Sequence, residues 1–332
     1  MAHRLVKRLA FVAAGCFLWG VLVETRRFVV RRVNVPVLPA GAPSLRILHL
    51  SDIHATKRSR TRLAFIATLA GLEPDLVIDT GDNVAQAEAI EPLGRALGRL
   101  LNVPGAYVFG SSDYKVPQFG NPLGYLRRPS VRKVEFGVGD IPTDELDATL
   151  SSGGWVNIVG RRTIIELLGT RIELRGTDDA HVDGDDYGLV AGPASPGVDV
   201  SLGVTHAPYR RVLDAMTRDG VDLILAGHTH GGQVCVPGRG ALTTNCDLPR
   251  SKVKGLSEHR AKTRRAGTGL GFDAKKGVDG VDGAGRGAKR GRITRKAWLH
   301  VSAGLGQSPY APYRFACPPE VTVLTLTSRT NG

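Results

Sequence analysis

Short apolar stretches alternate with segments of helical spacing along the first third of the chain. Residues 45–50 (LRILHL) and 75–79 (DLVID) are short and largely apolar, which is typical of buried strands. Residues 60–72 and 87–101 repeat apolar side chains at intervals of three or four positions, which predicts amphipathic helices. Residues 106–109 predict a further strand that ends at a glycine. This β-α-β-α-β order predicts a layered α/β fold.

The same alternation continues to the end of the chain. Further strands are predicted at 27–38, 155–159, 163–168, 171–175, 198–204, 221–225, 297–302 and 321–326. Helices are predicted after Pro142 to about residue 150 and over 209–216. A chain of 332 residues accommodates one large α/β domain, and we predict that this domain spans residues 27–332.

An uncharged apolar run occupies residues 9–23, with basic residues on both sides. As a helix it is about 22 Å long, less than the roughly 30 Å hydrocarbon core of a bilayer, although flanking basic side chains extend its reach. A cleaved signal peptide and a buried or interfacial helix are the alternatives, but no small-residue cleavage site follows Val23. We predict an uncleaved membrane anchor at residues 1–26, whose removal leaves the catalytic domain competent. The balanced flanks do not determine the side of the membrane.

Composition places the positive charge outside the predicted core. Apolar residues make up 42% of the chain and charged residues 23%, which excludes wholesale disorder and a protein with many membrane spans. The net charge is +13, but residues 1–32 hold seven Arg or Lys and one Glu, and residues 252–296 hold fourteen Arg or Lys and four Asp or Glu. The remainder is mildly acidic, so no specific nucleic-acid partner is expected.

Residues from about 257 to 295 interrupt the pattern of strands and helices. They contain nine glycines and many basic residues but few large apolar ones. Such a composition buries too little apolar surface to offset the chain entropy, so it predicts a disordered insertion within the domain. A solvated loop is the simplest role, and binding to anionic lipid headgroups or nucleic acid is the alternative.

Acidic and imidazole side chains follow the ends of the predicted strands. In chain order these residues are Asp52, His54, Asp82, Asp113, His206, His228 and His230. Open α/β sheets place their sites at the carboxyl ends of strands, where loops from distant parts of the chain meet. Imidazole nitrogen and carboxylate oxygen are ligands for divalent metals. The four cysteines form no CxxC pair, so a thiolate zinc site is not expected.

The short motifs differ in how strongly they point to a metal. An Asp-x-His pair, as at 52–54, is by itself most often surface or capping chemistry, and Gly-Asp, as at 81–82, is most often a turn. The GHTHGG segment at 227–232 is more specific, because paired histidines in a glycine-rich loop have little structural use. Taken together, the order and spacing of these short motifs predict a metal-centred fold.

In this order the motifs resemble those of the calcineurin-like metallophosphoesterase superfamily, and most closely its bacterial membrane-associated branch. The matching blocks are SDIH at 51–54, GDN at 81–83, GSSD at 110–113, THAP at 205–208 and GHTH at 227–230. The resemblance implies a sandwich of two mixed β-sheets flanked by helices. It also implies two divalent metal ions, with manganese, iron, zinc and magnesium all open.

The resemblance further implies a role for each matching residue. The implied ligands are Asp52, His54 and His230 for one ion and His206 and His228 for the second, with Asp82 bridging the two. Two ions about 3.5–4 Å apart activate a hydroxide and clamp a phosphoryl group for in-line attack.

The third block departs from the family pattern. Ser111 stands where an asparagine ligand is usual, and Ser112 stands where a histidine usually serves phosphate or leaving-group chemistry. Asn83 is a candidate replacement ligand, and a turn residue is its simpler interpretation. His181 is a candidate replacement acid, and an ordinary loop histidine is its simpler interpretation. The candidate catalytic residues are Asp82, Asp113, Ser112 and His181, and Ser111 and Asn83 are kept as candidate metal ligands.

These inferences predict a membrane-associated, metal-dependent phosphoesterase. A metal-activated hydroxide would hydrolyse a phosphate ester or a pyrophosphate, and the anchor favours a lipid-linked substrate. Two hypotheses from other classes stay open. One is a non-catalytic protein that binds metal and a phosphate ligand at the membrane, and the other is a tether that acts through residues 257–295.

Overall fold

Two six-stranded mixed sheets form the centre of the computed structural model, which describes residues 2–117, 140–264, 292–307 and 311–329. In spatial order the first sheet contains β1 (Val29–Leu38), β14 (Glu320–Ser328), β2 (Leu45–Leu50), β3 (Leu76–Asp79), β4 (Gly105–Tyr107) and β5 (Trp155–Asn157). Strand β1 is parallel to β14, and β14 is antiparallel to β2. Strands β2 to β5 are parallel to one another.

The second sheet is built from the later part of the chain. In spatial order it contains β12 (Gly255–Arg264), β13 (Arg292–Val301), β9 (Leu223–Ala226), β8 (Val200–Thr205), β7 (Thr170–Gly176) and β6 (Arg161–Leu167). Strands β13, β9, β8 and β7 are parallel, and β12 and β6 are antiparallel edges. A separate ribbon pairs β10 (Cys235–Val236) with β11 (Gly240–Ala241).

Helices lie between the strands and before β1. The α-helices are α1 (Ala2–Leu22), α2 (Arg60–Ile66), α3 (Ile90–Leu97), α4 (Ser111–Tyr114), α5 (Thr143–Ser151) and α6 (Arg210–Asp219). Short 3₁₀ turns are found at Glu24–Arg26, Leu69–Leu72, Ala87–Ala89, Gly98–Asn102, Ala180–Val182, Tyr187–Val190, His230–Gly232 and Arg250–Lys252.

Apolar side chains fill the space between the sheets and beneath the helices. Val35 and Ile47 of the first sheet belong to the same buried cluster as Val204 and Leu225 of the second. Helices α2, α3 and α5 pack on the outer side of the first sheet, and α6 packs on the second. The predicted sandwich of two mixed β-sheets flanked by helices is confirmed.

The structure differs from the predicted spans at several places. The helix predicted over 60–72 divides into α2 and a 3₁₀ turn. The helix predicted over 87–101 is limited to α3, because Gly98 at φ +43° ends the α-helix. The insertion predicted at about 257–295 is too wide, because its two ends pair with each other in β12 and β13. Composition alone does not register such backbone pairing, and residues 265–291 lie outside the described residues.

Helix α1 is 21 residues long, which corresponds to about 31 Å and matches the hydrocarbon thickness of a bilayer. It is longer than predicted because the helix continues through the basic residues before the apolar run. Its exposed large apolar side chains are Leu5, Val6, Phe11, Val12, Phe17, Leu18, Trp19 and Leu22. The candidate span His3–Arg26 has a mean hydropathy of 1.8. The described part of the chain thus contains one helix long and apolar enough to cross a membrane.

Candidate metal centre

The candidate metal ligands lie in loops that follow four strands. In the first sheet β2 leads to Asp52 and His54, and β3 leads to Asp82. In the second sheet β8 leads to His206, and β9 leads to residues 228–230. Because β2 and β3 are parallel neighbours, as are β8 and β9, each sheet brings its two loops to one edge. The packing of the two sheets then brings all four loops together.

Two groups of side chains place their ligand atoms within 4.8 Å of one another: Asp52, His54 and His230, and Asp52, Asp82 and His206. Asp52 belongs to both groups, and Asp82 lies close to members of each. Its Oδ2 is 3.2 Å from Nε2 of His54 and 3.4 Å from Nε2 of His206. The Nε2 atoms of His54 and His230 are 3.3 Å apart. Five of the six ligands implied by the resemblance therefore converge on one buried centre.

His228 lies at the edge of this cluster. Its ring centroid is 5.3 Å from that of His206, and its backbone N–H donates to the Asp52 carboxylate at 3.0 Å. Its Nε2 is 3.1 Å from the carbonyl oxygen and 3.3 Å from the side-chain nitrogen of Asn245. Asn245 thus contacts the Nε2 side of the His228 ring.

Backbone carbonyl groups orient two of the histidines. Nδ1 of His206 lies 2.7 Å from the carbonyl oxygen of Thr80, and Nδ1 of His230 lies 3.1 Å from that of Gly306. Since a carbonyl oxygen only accepts, each Nδ1 donates to it, and each Nε2 faces the cluster. Nε2 of His206 is buried and has no hydrogen-bond partner among the described residues. Metal-binding histidines are oriented in this way, so these residues fit a divalent cation.

The backbone is strained at the same positions. Among the described residues, eleven that are not glycine have positive φ, and five of these are Asp52, His54, Asp82, His228 and His230. Such conformations cost roughly 1–3 kcal/mol each and concentrate at functional sites. The strained backbone conformations are thus found at five of the six implied metal ligands.

Two glycines allow the loops to approach closely. A Cβ added at Gly110 would lie 2.3 Å from Oδ1 of Asp82 and 2.7 Å from Cε1 of His206. A Cβ added at Gly227 would lie 1.9 Å from the hydroxyl of Ser51. The glycines next to the motifs are therefore needed for space at the centre.

Burial and neighbouring charges set the protonation of the carboxylates. Burial alone would raise the pKa of Asp82, but His206 and His54 hold that pKa well below its ordinary value. Burial alone would lower the pKa of His206, but Asp82 and Asp179 raise it well above its ordinary value. Burial raises the pKa of Asp52 to about 6. Asp82 is thus a permanent negative charge at the centre.

The other histidines are held neutral. Burial lowers the pKa of His54 to about 4 and that of His228 to about 3. Burial, with the nearby His54, also lowers the pKa of His230 well below its ordinary value. Since the neutral imidazole is the form that ligates a metal, these residues need no deprotonation near neutral pH.

Asp113 organises the loop that carries Asp82. Its carboxylate accepts backbone N–H bonds of 2.6 to 3.1 Å from Asp82, Asn83, Val84 and Gly110. Ser112 is buried, and its N–H donates to Oδ1 of Asp82 at 2.8 Å. Ser111 is half-buried, and its N–H donates to Asp179 at 3.0 Å. These backbone contacts hold the GSSD block beside the centre.

Asn83 and His181 have different surroundings. Asn83 is fully buried, and its amide oxygen has no hydrogen-bond partner among the described residues. The ring of His181 lies 4.3 Å from that of His228, and its Nδ1 lies 3.0 Å from the hydroxyl of Tyr209. His181 is therefore next to the implied second-metal ligand.

Three residues of the site were missed in the sequence. The carbonyl of Thr80 orients His206, and Asp179 joins the backbone of Ser111 to that of His181. The fully buried Arg314 places Nη2 3.5 Å from Nδ1 of His230. Thr80 lies directly before the GDN block, which was an available signal. Nothing in the sequence around Arg314 indicates its position.

A buried Asp–His centre at the strand ends of a two-sheet α/β sandwich is the arrangement expected of a metal-dependent hydrolase. The sequence model of the calcineurin-like phosphoesterases matches residues 45–232, and the chain belongs to this family. The matched span contains all six implied ligands. The predictions of a calcineurin-like metallophosphoesterase and of a hydrolase are confirmed.

Curated relatives carry related descriptions. An uncharacterized metallophosphoesterase of Bacillus subtilis, YkuE, is 24% identical over 92% of this chain and 86% of its own length. The phosphodiesterase YaeI of Escherichia coli is 28% identical over 59% of this chain and 64% of its own length. A Bos taurus transmembrane protein with a metallophosphoesterase domain is 26% identical over 65% of this chain, which spans 47% of that protein.

Solved structures with a similar arrangement include a 5′-nucleotidase precursor from Thermus thermophilus. It is 12% identical, has a TM-score of 0.41, and the match covers 85% of this chain and 55% of that one. A purple acid phosphatase from yellow lupin is 11% identical with a TM-score of 0.34, over 58% of this chain and 39% of that one.

Proposed function

We propose that the protein hydrolyses a phosphate ester or pyrophosphate at a two-metal centre. The position of Asp82 carries this proposal, because its Oδ2 lies within 3.4 Å of one implied ligand of each ion, His54 and His206. Asp52, His54 and His230 would hold the first ion, and Asp82 would bridge. The ligands of the second ion would be His206 and His228, with Asn83 and Ser111 as further candidates.

The residues of this chain prepare the centre for that chemistry. Divalent ions bound there would supply a hydroxide nucleophile and neutralise charge on the phosphoryl oxygens. Asp82 stays ionised, and the contact of Nδ1 of His206 with the Thr80 carbonyl directs Nε2 of that ring inward. Asp113 positions the Asp82 loop through its backbone bonds. His181, beside His228, is in position to protonate a leaving group.

Turnover of bis(p-nitrophenyl) phosphate tests the proposal. Metal-free wild-type protein should lose at least about 10²-fold in kcat, and addition of manganese, iron, zinc or magnesium should restore it. Metal binding without turnover of any ester or pyrophosphate would support a non-catalytic protein that binds metal and a phosphate ligand. Full turnover in the metal-free protein would contradict the proposal.

The substrate that we propose is lipid-linked and lies at the membrane. A pocket of about 630 Å³ extends from His54 to the end of α1, where Val21 and Thr25 line it. Lys57 and Arg58 are exposed on its rim. A substrate whose apolar part lies along α1 in the bilayer would thus bring its anionic group past two basic side chains to the metal centre.

The double substitution Lys57→Ala with Arg58→Ala tests this substrate class. For diacylglycerol pyrophosphate in phosphatidylcholine vesicles, kcat/KM should fall by roughly 30-fold, as expected from about 1 kcal/mol for each basic residue near a membrane surface. Turnover of a soluble aryl phosphodiester should change little. Arg99→Ala is the matched control, because Arg99 is exposed and does not line this pocket. Equal losses on both substrates would contradict a lipid-linked substrate.

A further inference from the structure

The last turn of α1 packs against the loop that precedes β14. The backbone N–H of Arg314 donates to the carbonyl oxygen of Gly20 at 3.3 Å. The backbone N–H of Cys317 donates to the buried Glu24 carboxylate at 2.9 Å, and Trp19 Nε1 donates to the other oxygen of that carboxylate at 2.8 Å. Gly20 is buried, and an added Cβ there would lie 2.7 Å from the Arg314 carbonyl oxygen. These contacts, here called the anchor seat, leave no room for a side chain at Gly20.

The side chain of Arg314 extends from the anchor seat into the metal centre. Its Nη2 donates to the carbonyl oxygens of Ala303, at 2.7 Å, and Gly306. The same Gly306 oxygen accepts the Nδ1 proton of His230 at 3.1 Å. Arg314 therefore holds the acceptor that orients a candidate metal ligand.

The Ala303–Gly306 segment also contacts the other half of the first-metal group. The backbone N–H groups of Leu305 and Gly306 donate to the carbonyl oxygens of Ser51 and Asp52 at 3.1 and 2.6 Å. Any shift of this segment would move Asp52 and His230 relative to each other. The contact of His206 with the Thr80 carbonyl would stay in place.

A buried guanidinium in this position is costly to maintain. Arg314 is fully buried and makes no salt bridge among the described residues. Carbonyl groups accept from it, and the nearby Cys317, Asp52 and Glu320 favour its charged form. Burying a charge without an ionic partner is unfavourable unless its hydrogen bonds are satisfied. A smaller apolar residue could fill the interior of this loop without the desolvation free energy of a buried charge. We therefore infer that the guanidinium does more than fill space.

We propose that Arg314 is a positioning residue for the metal ligand His230, and that the anchor seat on α1 holds Arg314 in place. The inference rests on the proposed metal centre, and it makes the membrane helix a structural part of that centre. It differs from the expectation that residues 1–26 are an anchor whose removal leaves the site competent. A protein that lacks α1 would bind its first metal ion weakly.

Two alanine substitutions in α1 test the proposal. Gly20→Ala places a methyl group against the Arg314 carbonyl, whereas Gly15→Ala, the matched control, has nothing within 4 Å of the added Cβ. Both changes favour the helix equally and leave its apolar face intact. Manganese titration of the metal-free full-length proteins in nanodiscs should show one binding event weakened roughly 10- to 100-fold in Gly20→Ala and none in Gly15→Ala.

A second variant and a second measurement separate positioning from misfolding. Arg314→Lys keeps the charge but loses the guanidinium fork, so it should weaken the same binding event with the anchor seat intact. Hydrogen exchange in the metal-free protein should be faster at the amides of Leu305 and Gly306 in Gly20→Ala, with the β8 amides unchanged.

The outcomes distinguish this inference from the proposed function. Equal manganese affinity in Gly20→Ala and Gly15→Ala would overturn the inference while leaving a turnover result untouched. Wild-type protein that binds manganese without hydrolysing any ester would overturn the proposed function while the affinity difference still supports the anchor seat. Wild-type protein that binds no divalent metal would overturn both.

Discussion

Asp82→Asn is expected to remove at least one bound metal ion and to lower kcat by at least about 10³-fold, which corresponds to about 4 kcal/mol. The carboxylate oxygen of Asp82 lies between His54 and His206, and an amide in its place carries no negative charge. The amide oxygen still accepts the Ser112 N–H bond that the carboxylate accepts at 2.8 Å, so the loop should keep its conformation. Elemental analysis and steady-state kinetics measure the two effects.

Asp144→Asn is the matched control for this substitution. Asp144 is exposed in the first turn of α5, so removal of its charge should change neither metal content nor kcat. Circular dichroism should show the same fold in both variants and the wild type. Full metal content in Asp82→Asn would contradict a bridging role for Asp82.

His181→Ala is expected to make hydrolysis depend steeply on the leaving group. Ser112 stands where the family usually has a histidine, and a serine hydroxyl is a poor general acid near neutral pH. The His181 ring lies 4.3 Å from that of His228, so His181 is our candidate for the missing imidazole. Alkyl phosphodiesters, whose leaving oxygen needs a proton, should slow by about 10²–10⁴-fold. Aryl esters and pyrophosphates, whose leaving groups are stable anions, should slow much less.

A leaving-group series at saturating metal measures this dependence. His259→Gln is the control, because His259 binds Asp214 at 2.7 Å and is not among the candidate site residues. A shallow dependence in the wild type that becomes steep in His181→Ala assigns the acid to His181. A dependence that is already steep in the wild type, and that Ser112→His flattens, would instead mean that the protein lacks an acid.

Local sequence patterns were sufficient for the layered fold and for the choice of candidate ligands. Strands and helices were predictable because the spacing of apolar residues depends on which face of each element is buried. That spacing is visible within a short stretch of the sequence. The candidate ligands were recognisable because each follows the end of a strand and because their motifs resemble those of a known family. The ends of β12 and β13 were not predicted, because their stability comes from pairing with each other across the inserted residues.

Only the tertiary structure decided how these residues act together. Asp52 and His230 are far apart in the sequence, and they meet because β2 and β9 belong to two sheets packed face to face. The orientation of His206 depends on the Thr80 carbonyl, and that of His230 on a segment braced by Arg314. Every residue type carries a backbone carbonyl group, so no sequence motif identifies the carbonyl groups that act as acceptors here. The seat of α1 at Gly20 was likewise invisible, because the steric need for a glycine there arises from a carbonyl group near the other end of the chain.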